Sequence, residues 1–283
     1  MPSINTNVAA IKARGNLDRV QRDMDQSIAR LSSGKRINSA HDDASGIAVA
    51  GRMESQIRGL TQNIRHAKDG QALIDTQEGA ASEITTILQR MRELAVMAFN
   101  GTATATDRSY LSLEMQALFT EIGNISANTQ FNDTNILTGA TFAFWTDIDM
   151  AGNEIITVAA DMAPSALGVA NAMTASSISI GTNAKVTSLT GVVSAISIID
   201  AAIASVAGIR SNLGAVSNRF NHVIDNLTNV VANTEGAKSR VLDADFAVET
   251  TQLTRNQILQ QAATSMVAQA NAQKNSILAL LQT

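Results

Sequence analysis

The chain has 283 residues, of which 45% are hydrophobic but only 3% are aromatic, and its formal net charge is −4. A core made of Ile, Leu, Val, Met and Ala favours packed helices over a β-sandwich or a barrel. The charge leaves no basic surface for nucleic acid, and the absence of cysteine excludes disulfides and thiolate chemistry.

The N-terminal stretch contains no continuous apolar segment of the kind found in a cleaved signal peptide. No run of 18 apolar residues occurs anywhere in the chain. We therefore expect no membrane insertion, and, if the protein is exported, a route other than the general secretory pathway.

The first predicted element is a helix over residues 4–31, with a weak point near Gly15 where the apolar stripe changes phase. The stripe consists of Ile4, Val8, Ile11, Leu17, Met24, Ile28 and Leu31. Ser33-Gly34 then predicts the end of this helix. Asp42 or Asp43 can accept hydrogen bonds from free backbone N–H groups and start the next helix.

Three further helices are predicted over 45–99, 106–128 and 188–240. From Leu189 to Thr234 apolar residues alternate steps of three and four, which is typical of a left-handed coiled-coil seam. The last predicted helix, 253–281, has its apolar stripe at Leu259, Met266, Ile277 and Leu280.

A change of pattern between 131 and 187 predicts a small β insert. Residues 141–162 alternate like two strands joined by a turn at 151–153. Residues 171–188 are rich in Ser, Thr and Ala and indicate a loop with a short strand.

The fold class that follows is mainly α: a long antiparallel helical bundle or coiled coil, a paired layer of terminal helices and a small β-hairpin insert. The predicted domains are 1–44 with 243–283 (terminal helices), 45–140 with 188–242 (bundle), and 141–187 (insert).

The C-terminal helix has too few charges for an ordinary surface helix, because Lys274 is the single charged residue in 256–283. A two-helix hairpin buries too little surface to offset a backbone ordering cost of about 1–2 kcal/mol per residue. We expect ends that are mobile in the monomer and helical in an assembly of many copies. A hairpin that folds back on its own bundle is the alternative.

Several motifs resemble the flagellins, the subunits of the bacterial flagellar filament: INTNVAA (4–10), LSSGKRINSAHDDASGIAVAGRM (31–53), ILQRMRELAVMAFNG (87–101), SRVLDADFAVET (239–250) and ILQQAATSMVAQAN (258–271). The resemblance implies an inner tube of terminal helices and a homopolymer that functions in swimming motility. It also implies an extracellular location after unfolded export through the flagellar type III apparatus.

The same resemblance implies specific residues and partners. It makes the stretch after the first helix a connector between layers, including Gly34, Arg36, Asn38, Asp42 and Asp43. It implies flagellar cap and junction proteins as partners, and an export chaperone at the C-terminal helix.

One surface patch resembles the family's patch bound by a vertebrate Toll-like receptor: Gln89, Arg90, Glu93 and Leu94, with Glu114 on the neighbouring helix. Arg90 and Glu93 also have the spacing of an ordinary solvated ion pair. We expect the patch to belong to the subunit interface, exposed in a monomer and hidden in a filament.

We predict no enzyme activity and no catalytic, cofactor-binding or metal-binding residues. His41-Asp42-Asp43 could hold a metal weakly, but a turn with a helix cap fits better, and the H-E-x-x-H motif of a zinc peptidase is absent. The alternative functions are a hook–filament junction protein and a surface adhesin-like homologue.

Overall fold

The computed structural model describes residues 6–146, 155–169 and 189–281. The chain divides into two compact units, Met1–Ile57 with Ala232–Thr283 (unit 1) and Arg58–Val231 (unit 2). In the described residues the helices are α1 (Val8–Ser33), α2 (Ala44–Ala98), α3 (Ala105–Asn128), α4 (Leu189–Leu242) and α5 (Phe246–Leu281). The predicted mainly α fold with a small hairpin is confirmed.

The strands follow α3 in the chain: β1 (Gln130–Phe131), β2 (Thr134–Asn135), β3 (Thr138–Trp145) and β4 (Ile155–Asp161). β1 and β2 pair through a two-residue turn in which Asn132 and Asp133 have φ values of 51° and 59°. Positive φ at both central positions matches the right-handed twist of a hairpin, and Asn and Asp tolerate it better than other side chains. β3 and β4 are antiparallel, as the alternation predicted.

Local capping explains where three helices begin and end. α1 ends at Gly34, whose φ of 70° is the left-handed conformation that favours glycine. α3 begins with a capping box between Thr104 and Asp107. α5 begins seven residues earlier than predicted, because the carboxylate of Asp245 accepts hydrogen bonds from the N–H groups of Ala247 (2.8 Å) and Val248 (3.2 Å).

The predicted weak point at Gly15 does not interrupt α1, which is continuous from Val8 to Ser33. A glycine in a helix interior lowers stability by about 1 kcal/mol relative to alanine, and one such residue does not end a helix of this length. Ile4, the turn at 151–153 and the loop at 171–188 lie outside the described residues. Ile277 and Leu280 belong to α5 by their backbone.

The core of unit 2 combines α2, α3, α4 and both hairpins. Its fully buried side chains include Ile84, Leu88, Met91, Ile122, Ile136, Leu137, Met162, Ile199 and Phe220. The described parts of the predicted insert, 141–146 and 155–169, pack in this same core, through Phe142 and Phe144 and through Val158 and Met162. The three-domain division with its proposed borders stays a prediction.

One buried amide ties the β region to the bundle. Gln77 of α2 is fully buried, and its Nε2 donates to the carbonyl of Ile136 at 2.7 Å. Ser126 of α3 is also buried and donates to the carbonyl of Leu137 at 3.4 Å. Because buried polar groups need such partners, these bonds fix the start of β3 against two helices.

Among the described residues, one helical segment, Ala195–Leu242 in α4, is long and apolar enough to cross a membrane by length and composition alone. The search of the sequence for membrane spans required 18 consecutive apolar residues and therefore did not find this segment. Ile199, Val206 and Phe220 of this segment are buried in the core of unit 2, which accounts for its apolar composition.

Candidate assembly surfaces

The connector after α1 is built as a short antiparallel pairing with the segment before α5. The N–H of Arg36 donates to the carbonyl of Leu242 at 2.6 Å, and the N–H of Ala244 donates to the carbonyl of Gly34 at 3.0 Å. The Arg36 guanidinium also donates to the carbonyl of Val241 at 2.8 Å. Residues more than 200 positions apart are therefore joined by backbone hydrogen bonds.

Asp42 organises the turn inside this connector. One carboxylate oxygen accepts from the N–H groups of Asn38 and Ser39, each at 3.0 Å. The hydrogen bond from the Asn38 N–H, followed by that from Ser39, lowers the pKa of Asp42 below its ordinary value of 3.8. Asn38 in turn donates its side-chain amide to the carbonyl of Ala29 in α1 at 3.1 Å.

Asp43 caps α2. Its Oδ1 accepts from the N–H of Gly46 at 2.9 Å, and from the N–H and the hydroxyl of Ser45 at 3.0 and 2.8 Å. The Gly46 hydrogen bond is the main cause of a lowered pKa at Asp43. A Cβ at Gly46 would lie 2.6 Å from both the Asp43 carboxylate and the Ile37 side chain, so a larger residue there would displace one or both of these side chains.

α1 and α5 form an antiparallel pair within unit 1. At one end the Asn7 amide donates to the carbonyl of Ala270 at 3.0 Å. At the other end Arg30 forms an ion pair with Glu249 at 2.9 Å. The two terminal helices are therefore paired with each other in the structure.

The seam between these two helices mixes polar and apolar side chains. Ser27, Glu249 and Asn256 are buried, with relative exposures of 3%, 7% and 4%. Gln260 donates to the side-chain oxygen of Gln21 across the seam at 2.5 Å. The larger apolar side chains that are not exposed are only half-buried, so apolar burial between the two helices is incomplete: Leu17, Val20, Met24, Leu31, Leu253 and Val267.

The outward faces of the pair carry charged, polar and apolar residues together. Exposed large apolar side chains in unit 1 comprise Val8, Ile11, Ile28, Phe246, Val248, Ile258, Leu259 and Met266. In α5 no charged residue lies between Asn256 and Asn271, so this stretch departs from an independent soluble helix, whose outward face is charged or polar. Surfaces of this kind mark interaction sites.

The predicted assembly residues divide into a half-buried group and an exposed group. Leu17, Met24 and Leu31 are half-buried. Val8, Ile11, Ile28, Leu259 and Met266 are exposed. Sequence reasoning missed five seam positions in α5, Glu249, Leu253, Asn256, Gln260 and Val267, which alternate steps of four and three together with Ala263 and Ala270.

The receptor-like patch lies near the C-terminal end of α2 and on α3, in unit 2. Arg90 Nε and Nη2 contact one oxygen of Glu114 at 2.9 and 2.8 Å, and Nη1 contacts Glu93 at 3.0 Å. The hydrogen bond to Glu114 is the largest cause of a raised pKa at Arg90. These side chains are about half exposed, and Gln89 is exposed beside them.

Leu94 does not belong to the exposed patch. Its side chain is fully buried in the core of unit 2, because it lies on the α2 face that carries Met91 and Leu88. The expectation that Leu94 contacts a partner is therefore corrected: Gln89, Arg90, Glu93 and Glu114 form the surface, and Leu94 supports it from below.

Comparisons with known proteins agree with this architecture. The model of the bacterial flagellin N-terminal helical region matches residues 4–141, and that of the C-terminal helical region matches residues 196–281. A flagellin of Halalkalibacterium halodurans is 40% identical over 280 residues, which cover 99% of each chain. The chain belongs to the bacterial flagellins.

A second relative of this flagellin, flagellin FlaB2 of Treponema pallidum, is 37% identical over 293 residues and 99% of each chain. A solved hook-associated protein of Vibrio parahaemolyticus is similar with a TM-score of 0.59 and 14% identity, over 71% of this chain and all of that chain. At that identity the likeness shows the fold alone. Family membership makes this flagellin a structural subunit of the bacterial flagellar filament.

Proposed function

We propose that this flagellin self-assembles into the extracellular filament used for swimming, after unfolded export through the flagellar type III apparatus. The observation that carries the proposal is the set of exposed large apolar side chains on the α1–α5 pair, above all Ile258, Leu259 and Met266 of α5. These side chains stay in water in the single chain and would be covered when identical copies stack around a common axis.

The size of the effect favours assembly over a lone hairpin. Complete burial of an exposed Ile, Leu or Met side chain is worth about 1.5–3 kcal/mol. Ile258 is 62% exposed and Met266 is 63% exposed in the single chain, so each retains more than half of this energy for an interface. Several such residues per subunit, repeated along a filament, supply a driving force in addition to the incomplete apolar burial between α1 and α5.

Removal of the last ~30 residues tests the role of the pair. We expect the truncated protein to keep a helical unit 2 by circular dichroism and to fail to elongate seeds in light scattering and electron microscopy. Normal filaments from the truncated protein would refute the proposal.

A point variant gives a sharper version of the same test. Ile258→Gln keeps a good helix former but places an amide on the outward apolar face, and we expect a critical concentration raised by roughly ten-fold or more. Gln257→Ala, at the exposed neighbouring position, is the matched control. Equal critical concentrations for the two variants would show that the apolar face does not drive assembly.

The proposal also includes partners other than copies of the chain itself. The exposed apolar face of α5 suits an export chaperone that covers it before assembly, and the filament ends suit cap and junction proteins. The patch of Gln89, Arg90, Glu93 and Glu114 suits a contact between copies, and a vertebrate Toll-like receptor would then bind only released subunits. Abundance in sheared filaments separates this role from that of a junction protein, which is a trace component.

A further inference from the structure

We propose that Met266 is an oxidation site through which a peroxide blocks unassembled subunits, while assembled subunits are protected. This inference rests on the proposed function, because it requires the outward face of α5 to be covered by other copies of the chain. Oxidation of this one side chain would keep a free subunit from joining the filament.

The described methionines fall into exposed, half-buried and buried groups. Met266 is 63% exposed and Met97 is 50% exposed, whereas Met24 and Met53 are half-buried. Met91, Met115 and Met162 are at most 3% exposed in the core of unit 2. A small oxidant in water therefore reaches Met266 and Met97 most readily in the folded monomer and is kept from the three buried methionines.

The reaction requires no group from the protein other than the thioether. The sulfur lone pair attacks one oxygen of hydrogen peroxide, so an S–O bond forms as the O–O bond breaks. The sulfur loses two electrons and the peroxide gains them. The departing hydroxide then takes the proton from the oxygen that is now bonded to sulfur, and leaves as water. The product is methionine sulfoxide, which methionine sulfoxide reductases convert back.

The position of Met266 makes this change matter. It lies on the same outward face of α5 as Ile258 and Leu259, which are also exposed. A sulfoxide is polar and is destabilised in an apolar contact when no donor pairs with it. Met97 lies in unit 2, at the end of α2, and its oxidation leaves the α5 face unchanged.

The test uses purified full-length monomer treated with hydrogen peroxide and then freed of it. Peptide mass spectrometry measures oxidation at each methionine, and seeded elongation measures the critical concentration. We expect Met266 and Met97 to oxidise at least ten-fold faster than Met91, Met115 and Met162. Treated protein should show a critical concentration raised by roughly ten-fold, and a methionine sulfoxide reductase should restore it.

Two variants assign the effect to one residue, each compared with its own untreated sample. Met266→Leu has no thioether at this position and should elongate equally well before and after treatment. Met97→Leu should lose elongation on treatment as the unmodified chain does. Met266 in preformed filaments should oxidise at least ten-fold more slowly than in monomer.

Three results would overturn the inference. Treated Met266→Leu could lose elongation as fully as the unmodified chain, Met266 could oxidise equally fast in filament and monomer, or subunits oxidised at Met266 could elongate normally. In each case untreated protein still polymerises, so the proposed function stands. Untreated protein that forms no filaments would instead refute the proposed function, and the inference with it.

Discussion

A close contact between a helix and an aromatic ring predicts opposite effects for the same substitution at two glycines of α2. A Cβ added at Gly70 would lie 2.6 Å from Cζ of Phe220, a fully buried ring of α4. That ring also packs edge-on against Phe144 of β3, with centroids 5.7 Å apart. Gly79, nine residues further along α2, has open space where its Cβ would be.

The gain in helix propensity and the cost of the steric clash can be compared in energy. Alanine is favoured over glycine in a helix interior by about 1 kcal/mol, so Gly79→Ala should stabilise the protein by that amount. At Gly70 the same gain is opposed by overpacking, which costs about 1–3 kcal/mol in a well-packed core. Gly70→Ala should therefore range from neutral to about 2 kcal/mol destabilising.

Urea unfolding of the monomer, followed by circular dichroism, measures both variants. A double-mutant cycle with Phe220→Leu tests the cause, because a smaller side chain relieves the clash and the coupling energy should be about 0.5–3 kcal/mol. The reasoning fails if Gly70→Ala is as stabilising as Gly79→Ala, or if the cycle shows no coupling with Phe220.

Three further predictions concern the connector, the bundle surface and a helix start. Hydrogen bonds to the carboxylates lower the pKa of Asp42 and Asp43 in the folded state, so their stabilisation is present above the ordinary value of 3.8 and is lost as the pH falls below it. Urea unfolding across this range should show a weaker pH dependence for Asp43→Asn than for the unmodified chain, and an unchanged slope would contradict the assignment. Arg210 and Glu78 form a partly exposed ion pair at 2.6 Å; Glu78→Gln should lower the free energy of unfolding by less than about 1 kcal/mol. That difference should shrink in about 1 M salt, and a larger, salt-independent loss would contradict a solvated pair. Thr104→Ala removes the capping box of α3 and should lower stability by about 1 kcal/mol in thermal or urea unfolding; an unchanged midpoint would mean that the cap is not needed.

Local spacing was sufficient to predict the helices, because the 3.6-residue period and the capping residues act within a few positions of the chain. The break after α1 was predicted from Ser33-Gly34 and the following aspartates. The sequence left open which aspartate caps α2, and the structure places Asp43 there, with Asp42 in the turn before it. The early start of α5 at Phe246 was missed because the cap at Asp245 was not considered.

Surface assignment was less predictable than secondary structure. The patch motif placed Leu94 beside Arg90 and Glu93, yet Leu94 is buried while both charged residues are exposed. Neighbouring positions on a helix point in different directions, and the packing of the helix decides which direction faces water. A short sequence motif carries no information about that packing.

By itself the sequence determined that the chain is helical, where its main breaks fall, and that its C-terminal helix carries too few charges to be an ordinary surface helix. Only the tertiary structure decided which face of α5 meets α1, because two phases of that helix have the same three-and-four spacing. The observed pairing places Glu249 inside, where it forms its ion pair with Arg30, and buries Asn256, whose Nδ2 has no hydrogen-bond partner among the described residues. It leaves Leu259 and Met266 exposed, and these side chains remain available for contacts with further copies of the chain.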